Sequence, residues 1–280
     1  MHQVRSKHYF VADVHLGLRV EAPLEIELPM PIDREESFVA WLRSIASDAA
    51  SLHLLGDIFD FWWEYKYVVP KGYVRVLGAL AHLIDSGVAV HFHKGNHDRW
   101  DFGYFEREIG VHLHHKPTVI KIGETRFCLG HGDGMESAGR RERLLNRLFS
   151  APALQRCFAA IHPRWGMALG HRWSAHNRKK ERSSHTFSKE RDHLTRFAQL
   201  YPHPVDYFVF GHLHTPVDIT LPNGARFVVL GEWMHSGCYA QFDEGTGKFC
   251  CIDYQSVVCN EGNGVPDSES SRPLEREMKE

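Results

Sequence analysis

Five short clusters in the sequence combine carboxylates and imidazoles with glycine or a turn: Asp13-Val14-His15, Gly56-Asp57, Gly95-Asn96-His97-Asp98, Gly130-His131-Gly132-Asp133 and Gly211-His212-Leu213-His214. Carboxylate, imidazole and amide groups ligate hard and borderline divalent cations, and histidine also moves protons near neutral pH. Each cluster follows an apolar, strand-like run, so it falls where the chain must turn, and glycine lets the backbone bend there without a side-chain clash. Any one of them reads as a turn or as a ligand pair. Five in succession, all at strand ends, read as one site. Burying Asp13, Asp57 and their neighbours at the end of an apolar sheet is prohibitive without compensation, which a pair of divalent cations supplies. On a strand the side chains of Asp13 and His15 share a face, as do those of His212 and His214, so each pair is expected to clasp an ion. Asp57 is expected to bridge the two ions, because a carboxylate donates electron pairs in two directions.

The elements that must position these clusters follow from periodicity. His8–Ala12, Ser51–Leu55 and Val88–His93 read as strands, with amphipathic helices over Arg34–Ala50 and Tyr73–Ser86 between them. That alternation implies a largely parallel or mixed sheet covered on both faces, with function at the carboxyl ends of its strands. Thr118–Ile122, Thr125–Leu129, Asp206–Phe210, Asp218–Leu221, Arg226–Leu230 and Cys238–Phe242 read as further strands, and Pro222-Asn223-Gly224 as a turn. The core is thus expected over residues 1–134 and 201–259.

Residues 135–200 carry no strand pattern and read as a helical insertion. From Gly139 to Arg196 there are fourteen Lys and Arg against four acids, although the whole chain has a net charge of −2. Leu144, Leu148, Leu154, Trp165 and Leu169 are interleaved with that charge, a mixture that suits either a lid able to dock on a surface or a solvated helical pair. Residues 260–280 have almost no apolar content and are expected to be a disordered tail.

A chain of 280 residues with 43% hydrophobic and 24% charged residues excludes a fibrous or wholly disordered class. The near-neutral total gives no global cationic field for nucleic acid. No run of eighteen apolar residues occurs, and six cysteines show no C-x-x-C pair, so a reducing, cytoplasmic setting is expected.

In order, D-x-H, G-D-x-x-D, G-N-H-D, G-H-G-D and G-H-x-H resemble the calcineurin-like metallophosphoesterase superfamily from Asp13 to about Phe242. The resemblance implies an α/β fold, a four-layer α/β/β/α sandwich with the insertion as lid. It also implies two divalent ions, expected as Mn²⁺: one on Asp13, His15, Asp57 and His214, the other on Asp57, Asn96, His131 and His212. His97 and Asp98 resemble the outer pair that stabilises or protonates a leaving group. Such a pair of ions, about 3.5 to 4 Å apart, acidifies water and clamps phosphoryl oxygens, so the nucleophile is solvent. Because ligating histidines must be neutral, activity is expected to fall below about pH 6 to 6.5.

More narrowly, Asp13-Val14-His15-Leu16, Leu55-Gly56-Asp57-Ile58-Phe59-Asp60-Phe61-Trp62, the basic insertion and Leu230-Gly231-Glu232-Trp233 resemble the UDP-2,3-diacylglucosamine pyrophosphatase family of lipid A biosynthesis. That family cleaves a diphosphate to UMP and a lipid monosaccharide phosphate. The implied partners are a nucleotide-activated glycolipid and the inner membrane surface, bound peripherally, with no nucleic acid and no obligate protein partner. The family often has G-N-R-D where this chain has His97, so His97 or Arg99, with Asn96, is expected to grip phosphate, and Asn177 and Lys180 to reach the diphosphate or uridine. A soluble phosphoesterase on a polar substrate and a non-catalytic scaffold are the competing readings. Trp62 and Trp63 read either as cleft lining or as packing, and His53, His82, His91, His93 and His112 as structural or surface residues.

Overall fold

The structure is a computed structural model that describes residues 5–17, 32–133, 144, 147–182, 192–233 and 237–254, with backbone alone at 32–33 and 176–182. Its strands are β1 (Lys7–Val11), β2 (Ala49–Leu54), β3 (Ala89–His93), β4 (His112–His114), β5 (Thr118–Ile122), β6 (Thr125–Leu129), β7 (Tyr207–Phe210), β8 (Val217–Thr220), β9 (Arg226–Val229), β10 (Cys238–Asp243) and β11 (Lys248–Asp253). They form two sheets, ordered β11-β10-β1-β2-β3-β4 and β5-β6-β7-β9-β8. Strands β1 to β4 run parallel, as do β6, β7 and β9, so their carboxyl ends gather the following loops at one rim.

Alternation along the strands assigns each sheet two buried faces. Tyr9 and Val11 of β1 face outward to helices α1 (Ile32–Ser44) and α2 (Val74–Asp85), whose Phe38, Trp41, Leu80 and Leu83 join that core. Phe10 faces inward and meets Phe127, Val209 and Val228 of the second sheet. Helices α3 (Pro152–Ala159) and α4 (Pro163–Arg182) follow the first half, and α4 meets the core at Phe61 and Tyr65. Helix α5 (His193–Leu200) buries Leu194 and Ala198 against Phe208, Phe210 and Phe227. The expected α/β/β/α layering is therefore present. Although α5 lies inside the span read as insertion, its apolar face is part of the second sheet's cover.

Three elements differ from their sequence readings. The first helix stops at Ser44, followed by one 3₁₀ turn, instead of continuing to Ala50. Ser44 Oγ donates back to Trp41 O at 2.8 Å, and Ala49 is already paired with Lys7 in β2, so the sheet takes those residues from the helix. Strands β4 and β11 were not among the strands read from the sequence. The first is three residues with histidine at both ends, and the second is recruited by the turn after β10, where Asp243 Oδ1 accepts from Gly245 N and Thr246 N. Residues 260–280 lie outside the described residues. Among the described residues no helix is long and apolar enough to cross a membrane.

Candidate metal centre

Beyond the ends of β1, β2 and β7 the backbone turns left-handed at Asp13 (φ 53°), His15 (48°), Asp57 (51°), His212 (74°) and His214 (53°). Among the described residues these are the non-glycine positions with positive φ. Asp and His tolerate that region better than bulky residues, yet each such position costs on the order of 1 to 3 kcal/mol. This corrects one sequence argument: Asp13 and His15 do converge, as do His212 and His214, but not by sharing the face of a strand. Each sits past its strand, on a coiled backbone that aims it inward.

Glycine contributes through close approach. A Cβ on Gly95 would lie 2.2 Å from Asp57 Oδ1 and 2.5 Å from its backbone nitrogen, and one on Gly211 would lie 2.6 Å from Asp13 Oδ2. The loops after β2 and β3, and those after β1 and β7, therefore touch backbone to side chain.

The seven expected ligands come together. His214 Nε2 lies 3.2 Å from both Asp13 Oδ1 and His15 Nε2, which puts three ligand atoms around one point. Asp57 Oδ2 lies 3.3 Å from His131 Nε2 and 4.0 Å from His15 Nε2, between that point and a second one. There Asn96 Oδ1 is 3.2 Å from His131 Nε2, and the rings of His131 and His212 stand edge to face at 5.1 Å. The other nitrogen of His131 donates to Leu55 O at 2.9 Å, which turns Nε2 toward the carboxylate. His214 Nδ1 lies 3.5 Å from Glu232 Oε2 in the same kind of arrangement.

Asp13, His15, Asp57 and His131 are buried, and Asp13 Oδ1 accepts no hydrogen bond among the described residues. Left alone, these charges rearrange. Burial pushes the His131 imidazole down, but Asp57, hydrogen-bonded to it, with Asp13 and Asp133, raises it to about 10. Burial favours protonation of Asp57, yet His131 and His97 hold it well below the usual carboxylate range. Burial, with His131 next to it, keeps His212 neutral. An orphaned carboxylate oxygen among convergent oxygen and imidazole donors fits a divalent cation pair.

His97 and Asp98 separate into two roles. His97 Nε2 faces the ligands, 3.9 Å from Asp57 Oδ2. Asp98 is buried, with Oδ1 accepting from Gly95 N and Oδ2 from Ile58 N, both at 2.8 Å. It ties the two loops together from below, and of the expected outer pair only His97 meets the ligand atoms. Burial, followed by the charge on Asp57, raises the Asp98 carboxyl to about 7. Arg99 forms an ion pair with Asp133 at 2.6 Å. Asn177 and Lys180 are on the last turns of α4, where side chains lie outside the described residues. Trp62 packs on Phe105 at 4.5 Å and Trp63 on Phe158 at 4.3 Å, so both are packing residues.

Sequence reading missed four residues near the site: Asp60, Glu232, His171 and Ser174. The first two had a signal, the spacing G-D-x-x-D and the segment Leu230–Trp233. The last two had none, because they approach only through the docking of α4, where Ser174 Oγ donates to Asp60 Oδ1 at 2.9 Å.

Known proteins are similar to the chain over most of its length. A protein named UDP-2,3-diacylglucosamine hydrolase in Porphyromonas gingivalis is 39% identical over 259 residues, 87% of this chain and 96% of that protein. Proteins of the same name in Serratia proteamaculans and Nitrosococcus oceani are each 26% identical over 231 residues, covering 81% and 80% of this chain and 91% and 86% of their own lengths. The family model described as Calcineurin-like phosphoesterase matches residues 7–216, which span all seven expected ligands. The strand-end loops, their convergent donors and these matches agree: the chain belongs to the calcineurin-like phosphoesterase family.

Proposed function

We propose that the protein hydrolyses the diphosphate of a UDP-linked diacylglucosamine, releasing UMP and a lipid monosaccharide 1-phosphate. The observation that carries this reading is a largely buried apolar cluster that begins beside His97, at the edge of the expected ligand set. The Trp173 ring lies 6.0 Å from that of His97 and 6.0 Å from that of Trp100. Trp100 in turn belongs to a cluster with Phe61, Trp63 and Tyr65, against which Phe149, Phe158 and Met167 pack. A substrate with a charged diphosphate and apolar chains matches such a boundary. The name of the 39% identical relative supports the same substrate.

When bound, a pair of divalent cations, which we propose are Mn²⁺, supplies the positive charge for phosphoryl oxygens and lowers the pKa of water. Asp13, His15, Asp57 and His214 would hold one ion, and Asp57, Asn96, His131 and His212 the other. His97, whose Nε2 faces Asp57, is placed to give a proton to the departing oxygen. Arg99, paired with Asp133, is a nearby guanidinium able to grip a phosphate in place of the arginine that the related motif carries.

Helices α3 and α4 act in this reading as the lid. Trp165 is 66% exposed, and Leu154 and Leu169 are exposed with it, among Arg156, Arg164 and Arg172. Basic residues beside an anionic leaflet contribute about 1 kcal/mol each, enough for reversible, peripheral docking on the inner membrane.

The test is incubation of purified protein with Mn²⁺ and UDP-2,3-diacylglucosamine, with UMP quantified by chromatography. Equimolar UMP and lipid 1-phosphate are expected. Cleavage of p-nitrophenyl phosphate without UMP release would overturn the substrate and favour a polar one.

A further inference from the structure

Helix α4 approaches the core along Gly166, Gly170 and Ser174, four residues apart and therefore on one face. A Cβ at Gly166 would stand 2.1 Å from the Tyr65 hydroxyl, and one at Gly170 would stand 2.2 Å from Cε1 of Phe61. The absence of those carbons lets the helix backbone close onto the segment that leaves the Asp57 loop. Ser174, at the inner end of this stripe, is fully buried.

Its hydroxyl reaches both Asp60 and His97. Oγ donates to Asp60 Oδ1 at 2.9 Å and lies 3.1 Å from His97 Nδ1. His97 Nδ1 is 2.7 Å from the carbonyl oxygen of Asp60, which can only accept, so Nδ1 carries a proton. Ser174 Oγ is then a second acceptor for that N–H. His171, three residues earlier on α4, places Nδ1 3.7 Å from Asp60 Oδ2. With one side of its ring fixed, His97 directs Nε2 at the ligands, where it makes no hydrogen bond among the described residues.

We propose that Ser174 is a positioning residue for protonation of the leaving group, acting through His97, and that the site is complete only with α4 seated. The proposal rests on the reading of His97 as proton donor, but not on the lipid substrate. Water adds to phosphorus and gives up a proton to solvent. The bond from phosphorus to the leaving oxygen breaks with its electron pair on that oxygen, which takes the proton from His97 Nε2. Solvent then reprotonates the imidazole.

Two aryl phosphodiesters separate this role from a structural one: a p-nitrophenyl ester, whose leaving group needs no proton, and a phenyl ester, whose leaving group does. With Mn²⁺ bound, Ser174→Ala is expected to lower kcat on the phenyl ester roughly 10- to 100-fold with KM within about twofold, as for other outer contacts that orient a reactive group. The p-nitrophenyl ester should be nearly unaffected. Ser174→Cys, of similar size with a weaker acceptor, should fall between. His97→Ala should show the same preference, and adding Ser174→Ala to it should change nothing further. Equal losses on both esters, a raised KM at unchanged kcat, or additive losses in the double variant would overturn the proposal. Failure of the wild-type protein to cleave either ester would instead count against the phosphoesterase site beneath it.

Discussion

His53 and His91 lie face to face in the first sheet, their ring centroids 4.7 Å apart and their planes 7° from parallel. They are the middle of a row. His8 Nδ1 reaches Ser51 Oγ at 2.7 Å, Ser51 reaches His53 at 2.9 Å, His91 Nδ1 lies 3.1 Å from His114 Nε2, and His93 stacks on His114 at 4.5 Å. Burial and neighbouring imidazoles hold His91 at about 4 and His93 at about 3, and keep His53 well below its ordinary value.

The sign of the pH effect follows. Above the unfolded value of about 6.5 the row is neutral in both states and its packing is fully stabilising. As pH falls below 6.5 the unfolded chain binds protons that the fold refuses, so stability is lost from about 6.5 down to about 3, where His93 titrates in the fold. His93 is expected to cost on the order of 2 kcal/mol at pH 5, and His53, held down by the same burial, adds a loss of the same sign. Thermal melts followed by circular dichroism should show Tm falling through this window, less steeply in His53→Phe. A Tm independent of pH between 7 and 4.5 would contradict it.

Gly95 and Gly78 give opposite outcomes for the same change. A methyl at Gly95 meets the backbone nitrogen of Asp57 at 2.5 Å, which cannot step aside, whereas nothing stands within 4 Å of one at Gly78 on α2. Gly95→Ala is expected to lower kcat/KM by about a hundredfold or more through displacement of Asp57. Gly78→Ala should keep full activity and stabilise by about 0.4 to 1 kcal/mol. Comparable activity in the two variants would count against close contact of the loops as the basis of the site.

Removal of metal should be felt as stability. Among the described residues Asp13 Oδ1 accepts no hydrogen bond, and His131 and His97 hold the buried Asp57 in its charged form. An ion present at about a hundredfold over its Kd contributes about 2.7 kcal/mol to the folded state. Dialysis against a chelator should therefore lower Tm by several degrees, and Mn²⁺ should restore it. An unchanged Tm would show that these residues are satisfied without metal.

The convergence of the seven expected ligands was legible because each is written as a turn after an apolar run, with glycine beside it at Asp57, Asn96, His131 and His212. Their backbone was not: nothing in Asp13-Val14-His15 announces two left-handed residues, since that conformation is imposed by neighbouring loops, as where His212 N donates to Asp13 Oδ2 at 2.9 Å. Ser174 was invisible for another reason. Its partner Asp60 is 114 residues away, and their meeting depends on two glycines that look like ordinary weak points in a helix. The histidine row shows the converse. His53, His91 and His93 were read as structural or surface residues; they lie in the sheet, His53 and His93 buried and His91 partly so, but their stacking across strands appears only once the register pairs His53 with His91.

The claim on which the rest depends is that Asp57 joins two cation sites. Metal analysis of protein equilibrated with Mn²⁺, alongside hydrolysis rates, tests it most directly. Two equivalents per chain are expected in the wild type, and at most one, with activity lost, in Asp57→Ala. Wild-type protein stripped of metal and still fully active would contradict the account.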